Sequence, residues 1–136
     1  MYINDTVPTT SGFTGAGAVT IKPTSTSFGS AVTANYTYAT TLTGLTLGKA
    51  GNLSDVTLNS LINIAGPLTV YAPTITLNPT SISTLNSQSY NGAVLLGSNI
   101  TLTSTSSGDI RFTGTLDGAK TLAVNTAGLT RFDGDV

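Results

Sequence analysis

Few side chains in this sequence of 136 residues are able to do chemistry: six aspartates (Asp5, Asp55, Asp109, Asp117, Asp133, Asp135) and five cations (Lys22, Lys49, Arg111, Lys120, Arg131), with no His, Cys or Glu. A nucleophile activated by an imidazole is therefore excluded, as are thiolate and imidazole metal sites. Cleavage of a polysaccharide calls for clustered carboxylates, often with Arg, Lys or bound calcium. Here Asp109, Asp117 and Asp133 each adjoin a glycine, the setting in which an Asp bonds its own backbone in a turn. Asp133-Gly134-Asp135 brings two carboxylates together, short of the roughly 6–8 oxygens that calcium takes. Gly48-Lys49-Ala50-Gly51 lacks the Ser or Thr of a phosphate-binding loop and reads as a turn. The expectation is a chain without catalytic residues, metal or cofactor, and not an enzyme.

Two sets of residues are candidates for binding. Tyr36, Tyr38, Tyr71 and Tyr90 are aromatic rings able to make weak stacking contacts with sugars, although capping a core and shielding edges is the preferred reading. Thr74 and Thr76, Asn99 and Thr101, and Thr121 with Ala123 flank Ile75, Ile100 and Leu122 in turn, forming a degraded threonine ladder of the kind that orders water on ice-binding surfaces. Arg111 and Arg131 stand at the centres of equivalent strands, where Asp109 or Asp133 can neutralise them. Asn4, Asn35, Asn52 and Asn99 head Asn-x-Ser/Thr sequons, which chance alone produces several times in so Asn- and Thr-rich a chain. A net charge of −1 with scattered basic residues argues against nucleic acid and anionic lipid as partners. No run approaches the ~18 apolar residues of a membrane span, and the N-terminus lacks a basic segment followed by an apolar one. If the protein is exported, its signal lies outside these residues.

The elements that must carry these residues are β-strands. Charged residues make up 8% of the chain, against about 25% in an ordinary domain, while 39% are hydrophobic. That is not the disorder signature, which pairs low hydrophobicity with high net charge. Thr, Val, Ile and Gly dominate, without helix-forming runs at 3.6 spacing. Triplets with apolar ends recur throughout: Val19-Thr20-Ile21, Leu45-Thr46-Leu47, Val56-Thr57-Leu58, Ile62-Asn63-Ile64, Leu68-Thr69-Val70, Ile75-Thr76-Leu77, Ile100-Thr101-Leu102 and Ile110-Arg111-Phe112. Each is a period-2 strand, and Gly, Asn, Pro or Asp punctuates nearly every gap.

A longer repeat selects among all-β architectures. Asn91-Gly92-Ala93-Val94 recurs as Thr113-Gly114-Thr115-Leu116 and again as Asp133-Gly134-Asp135-Val136, at offsets of 22 and 20 residues. Ile100-Thr101-Leu102 is answered by Leu122-Ala123-Val124, and Ile110-Arg111-Phe112 by Thr130-Arg131-Phe132. Three short strands per 20 to 26 residues describe one coil of a right-handed parallel β-helix. Residues 18–136 are read as about five coils, the earlier ones holding strands near Val19, Phe28 and Tyr36, then Leu45, Val56 and Ile62, then Leu68, Ile75 and Ile82. Residues 1–17 are read as an N-terminal cover or the remnant of a preceding coil, and the chain as stopping within a repeat. Inward residues should stack, with Ile75, Ile100 and Leu122 in one ladder, and Ile110 over Thr130 and Phe112 over Phe132 in another.

The runs Leu42-Thr43-Gly44-Leu45-Thr46-Leu47-Gly48-Lys49-Ala50-Gly51-Asn52, Ile64-Ala65-Gly66-Pro67-Leu68-Thr69-Val70-Tyr71 and Tyr90-Asn91-Gly92-Ala93-Val94 resemble repeats of giant filamentous-haemagglutinin-like adhesins of Gram-negative bacteria. The resemblance covers roughly residues 10–136 and implies a secreted, cell-surface β-helix shaft that extends binding modules toward a host or environmental glycan or matrix. It carries over no active-site residues. Alternatives are a fibre subunit that associates end to end, a carbohydrate-binding or carbohydrate-cleaving β-helix, and an ice-binding solenoid.

Overall fold

Alternating apolar and small polar residues leave each strand one face for a core and one for water, and strands this short bury their apolar face only by stacking on the next coil. A computed structural model describes the backbone of residues 2–3 and the whole of residues 11–136. Asn4 and Asp5 lie outside the described residues. The strands are β1 (Tyr2–Ile3), β2 (Gly12–Phe13), β3 (Ala18–Lys22), β4 (Val32–Ala34), β5 (Thr37–Tyr38), β6 (Gly44–Leu47), β7 (Val56–Leu58) and β8 (Ile62–Ile64). They continue with β9 (Leu68–Leu77), β10 (Ser81–Thr84), β11 (Gln88–Leu96), β12 (Ile100–Ser104), β13 (Ile110–Phe112), β14 (Leu116–Asp117), β15 (Leu122–Asn125) and β16 (Thr130–Phe132). Among the described residues all the pairings are parallel, and no strand pairs with its immediate successor.

The chain is a β-solenoid with three faces. The first runs β1-β3-β6-β9-β11-β13-β16. The second runs from β4 through β7 and the latter halves of β9 and β11 to β14. The third holds β8-β10-β12-β15, with the β2-β5 pair lying beyond β8. The turns number about six rather than five, because β1 and β2 pair with β3 and β5 and add a turn before residue 18. At ~4.8 Å per turn the rod is about 29 Å long.

The core is a set of columns parallel to the rod axis. On the first face Ile21, Leu47, Val70, Tyr90, Phe112 and Phe132 follow one another in register. On the second, Val32, Val56, Ile75, Val94 and Leu116 do so, and on the third Ile62, Ile82, Leu102 and Val124. Apart from Val124 and the final Phe132, these side chains are buried. Tyr90, Phe112 and Phe132 stack face to face with centroids 5.1 and 5.0 Å apart, the coil spacing itself.

The expected pairings of Ile100 with Leu122, Ile110 with Thr130 and Phe112 with Phe132 are present. The place expected for Ile75 is not. It stacks between Val56 and Val94 on the second face, whereas Ile100 opens a strand of the third. The reason is that β9 and β11 bend through a corner and supply two faces each, so two triplets of identical pattern belong to different faces. Similarly, the strand expected near Phe28 lies at Val32–Ala34, and Phe28 is buried in the preceding loop.

The recurring glycine motif marks the corner between the first and second faces, where the register between β9 and β11 shifts. Gly92 has φ 150°, and a Cβ there would run into the carbonyl oxygen of Ala72. A Cβ on Gly114 would lie 2.6 Å from the Gly92 carbonyl carbon, and one on Gly134 2.5 Å from that of Gly114. Backbone thus packs on backbone from coil to coil. Gly114→Val is expected to lower the unfolding free energy by roughly 1–3 kcal/mol through overpacking. Its exposed neighbour substitution Thr115→Ala should stay within about 0.5 kcal/mol. Urea midpoints of the two variants check this, and equal midpoints would contradict the glycine column.

Candidate functional site

A solenoid offers ligands its outward faces and its corners, since the inward positions are filled. Three of the four candidate tyrosines point inward. Tyr36, Tyr38 and Tyr90 are buried, and Tyr71 alone is half-buried on the first face. Tyr36 and Tyr38 pack with Phe13 at centroid separations of 5.2 and 6.2 Å, closing the core near the N-terminal end. Burial pushes the Tyr38 and Tyr90 hydroxyls well above the ordinary phenol range. Of the two readings of these tyrosines, core capping describes Tyr36, Tyr38 and Tyr90, which lie at inward positions, and a ring open to a sugar is left at Tyr71.

The threonine ladder is also divided. Thr74 and Thr76 lie on β9 in the second face, while Thr101 lies on β12 in the third. Asn99 and Thr121 precede β12 and β15, where the Asn99 side-chain oxygen accepts the Thr121 N–H at 3.0 Å. Hydroxyl-bearing columns do form, on every face: Thr20, Thr46, Thr69 and Ser89 follow one another on the first and Thr33, Thr57 and Thr76 on the second, and the third is mixed. There Ser81, Thr101 and Ala123 make one outward column and Asn63, Ser83, Thr103 and Asn125 the next.

Three of the carboxylates, Asp55, Asp109 and Asp133, are tied to local partners. Asp55 accepts the Thr74 N–H at 3.0 Å, and Asp109 accepts the Leu129 N–H at 2.8 Å, each fastening one corner to the next. Asp133 receives both arginines of the basic ladder: Arg111 Nη2 lies 2.6 Å from Oδ2, and Arg131 Nε donates to Oδ1. Asp133, not Asp109, is thus the neutralising partner, and the guanidiniums hold its carboxyl below the usual carboxylate range. No group of three or more metal-ligating side chains occurs among the described residues. Of the sequons, Asn35 and Asn99 are exposed and Asn52 is buried.

Asn52 belongs to an arrangement that strand patterning does not reveal. In the first two full coils the corner between faces one and two is a long loop, residues 23–31 and 48–55, where later coils turn within a few residues. Asn52 clamps the two loops together. Its oxygen accepts from Ser27 Oγ at 3.0 Å and Phe28 N at 3.3 Å, and its amide donates to Ser54 O at 2.8 Å and Tyr71 O at 2.9 Å. Leu53, beside it, is 77% exposed on the clamped loop. Long loops on a rigid scaffold are where binding residues concentrate, which makes this corner a candidate binding region.

A second polar group lies inside the core. Gln88 occupies a column position between Leu68 and Ile110 and is 1% exposed. Its amide donates to Thr103 O at 2.9 Å and Thr84 Oγ1 at 3.2 Å, and its oxygen accepts the Tyr90 hydroxyl at 2.8 Å. The group links the third face to the first and fixes their relative position. No family model, curated protein or solved structure matches this chain. The geometry alone therefore describes a rod with two long corner loops joined by Asn52, outward hydroxyl columns and an arginine pair closed by one aspartate.

Two measurements follow. Gln88→Leu leaves the Tyr90 hydroxyl without its acceptor, an expected loss of about 1–3 kcal/mol. Combined with Tyr90→Phe it should lose less than the sum of the two single losses, and strict additivity in denaturant melts would contradict the network. Because the Asp133 pKa is depressed, its contribution to stability is full above the ordinary carboxylate range and is lost as pH falls through and below it. The difference in melting temperature between the chain and Asp133→Asn should be largest at neutral pH and close in acid. A difference independent of pH would contradict the clamp.

Proposed function

We propose that the chain is a non-catalytic shaft segment of a secreted bacterial surface adhesin, contributing length and stiffness that carry binding modules away from the cell toward a glycan or matrix target. The observation that carries the reading is the run of unbroken inward columns through about six parallel turns. In such a stack each turn contacts mainly its neighbours, so turns add length without a new core. The interstrand hydrogen bonds lie along the rod axis. Bending the rod distorts many bonds and columns at once, which is the mechanical property a spacer needs.

The runs that resemble adhesin repeats support the same reading. Leu42–Asn52 spans β6 and the corner after it, and Ile64–Tyr71 spans the end of β8, the Gly66-Pro67 corner and the start of β9. Both straddle entry into the first face, and the third run, Tyr90–Val94, lies within β11 across the corner to the second face. The half-exposed Tyr71 and the exposed Leu53 on the corner loop are the places where a weak lateral contact to glycan fits best.

The reading is tested on beads. With the chain inserted between a bead surface and a known binding module, capture of target-coated particles across a polymer brush should exceed that by a flexible linker of equal residue number. Beads carrying the chain alone should capture nothing above background. Strong glycan or cell binding by the chain alone, or equal performance of the flexible linker, would overturn the shaft reading.

A further inference from the structure

Where corner backbones pack on one another without room for a Cβ, a chemical change to the backbone itself cannot be absorbed. The chain's one Asn-Gly pair, Asn91-Gly92, sits at such a corner. A glycine after an asparagine has no side chain to keep its nitrogen from the carboxamide carbon, which is the approach needed for cyclisation to an imide. In the stacked rod both partners of that reaction are held elsewhere. The Asn91 amide donates to Val70 O on the preceding coil at 3.1 Å and to Ser89 Oγ at 3.2 Å, which turns the carboxamide back along β11 and away from residue 92. The Gly92 N–H donates to Thr113 Oγ1 on the following coil at 3.2 Å, and that hydroxyl donates to Tyr90 O. These bonds reach the coils on either side, so they last only while the three coils stay stacked.

We propose that Asn91-Gly92 is a self-modification site gated by coil stacking, closed in the intact rod and converted irreversibly once a neighbouring coil detaches. When the Gly92 nitrogen is freed and gives up its proton, it attacks Asn91 Cγ. The N–Cγ bond forms, the Cγ–Nδ2 bond breaks, and the amide nitrogen leaves as ammonia with that proton. Water then opens the imide. Cleavage of the new bond to Cγ leaves an aspartate, whereas cleavage of the original peptide bond leaves an isoaspartate whose backbone is one carbon longer. A Cβ on Gly92 would already run into the Ala72 carbonyl oxygen, and Gly114 packs on the Gly92 carbonyl, so the corner has no room for the longer backbone. A transient opening is thereby recorded as a permanent one. The inference concerns the stack alone and is independent of the shaft reading.

The purified chain, held in mildly alkaline buffer either folded or unfolded in guanidinium chloride, tests it, with conversion at Asn91 followed by peptide mass spectrometry and isoaspartate-specific methylation. Conversion gated by local opening should be at least about tenfold slower in the folded chain. Thr113→Val removes the acceptor of the Gly92 N–H and should convert several-fold faster than the parent when folded, yet at the parent's rate in denaturant. Thr113→Ser keeps the hydroxyl and should match the parent in both. After separation and return to buffer, chains carrying aspartate at position 91 should regain the β-sheet circular dichroism spectrum, and those carrying isoaspartate should not. Equal rates in folded and unfolded chains, no acceleration by Thr113→Val, or full refolding of the isoaspartate chains would overturn the proposal.

Discussion

Everything in this molecule depends on one constraint: the inward side chain of each coil must lie over its equivalent in the previous coil while the backbones pair in parallel. A strand of three residues buries too little to persist alone, so the columns, not the strands, are the units of stability. Ile62, Ile82 and Leu102 are buried because each covers the next. Where the covering stops, at Val124 and Phe132, exposure rises along the same columns.

The constraint governs the corners as well. Coils can only descend at the strand spacing if corner backbones touch, which is why Gly92, Gly114 and Gly134 succeed one another where a Cβ would collide. Where the corner is long instead, in the two earliest full coils, the loops need their own clamp, and the buried Asn52 supplies it through hydrogen bonds to both loops and to β9. Gln88 is a polar residue tolerated in a column because its donors and acceptor are all met. These devices make the rod regular inside while leaving its outward faces free to vary.

Much of the fold was legible from residue pattern. Period-2 triplets, glycine punctuation and the offsets from Asn91 onward are direct consequences of coil stacking, and from there the expected register of Ile100, Ile110 and Phe112 matches the structure. The assignment of faces was not legible, because Ile75-Thr76-Leu77 and Ile100-Thr101-Leu102 are indistinguishable as patterns and nothing local reports that β9 and β11 each turn a corner. Which tyrosines face inward was not legible for a related reason: a short strand shows which residues alternate, but not which parity faces inward. With the register fixed, Tyr90 falls in the Val70 and Phe112 column and must be inside. The Asn52 clamp and the Gln88 network join residues many positions apart and carry no local signature. A buried-polar search among column positions is the one signal that could have found Gln88.

The account rests on parallel, in-register coils, and the absence of native cysteine makes that directly measurable. Ser83 and Thr103 are outward neighbours on adjacent coils of the third face. Parallel pairing brings their backbones to about 4.8 Å, within disulfide reach. The double variant Ser83→Cys/Thr103→Cys should oxidise rapidly and nearly completely to an intramolecular disulfide, while the offset pair Ser81→Cys/Thr103→Cys should oxidise much more slowly. Equal rates, or faster closure of the offset pair, would contradict the solenoid register on which the rest depends.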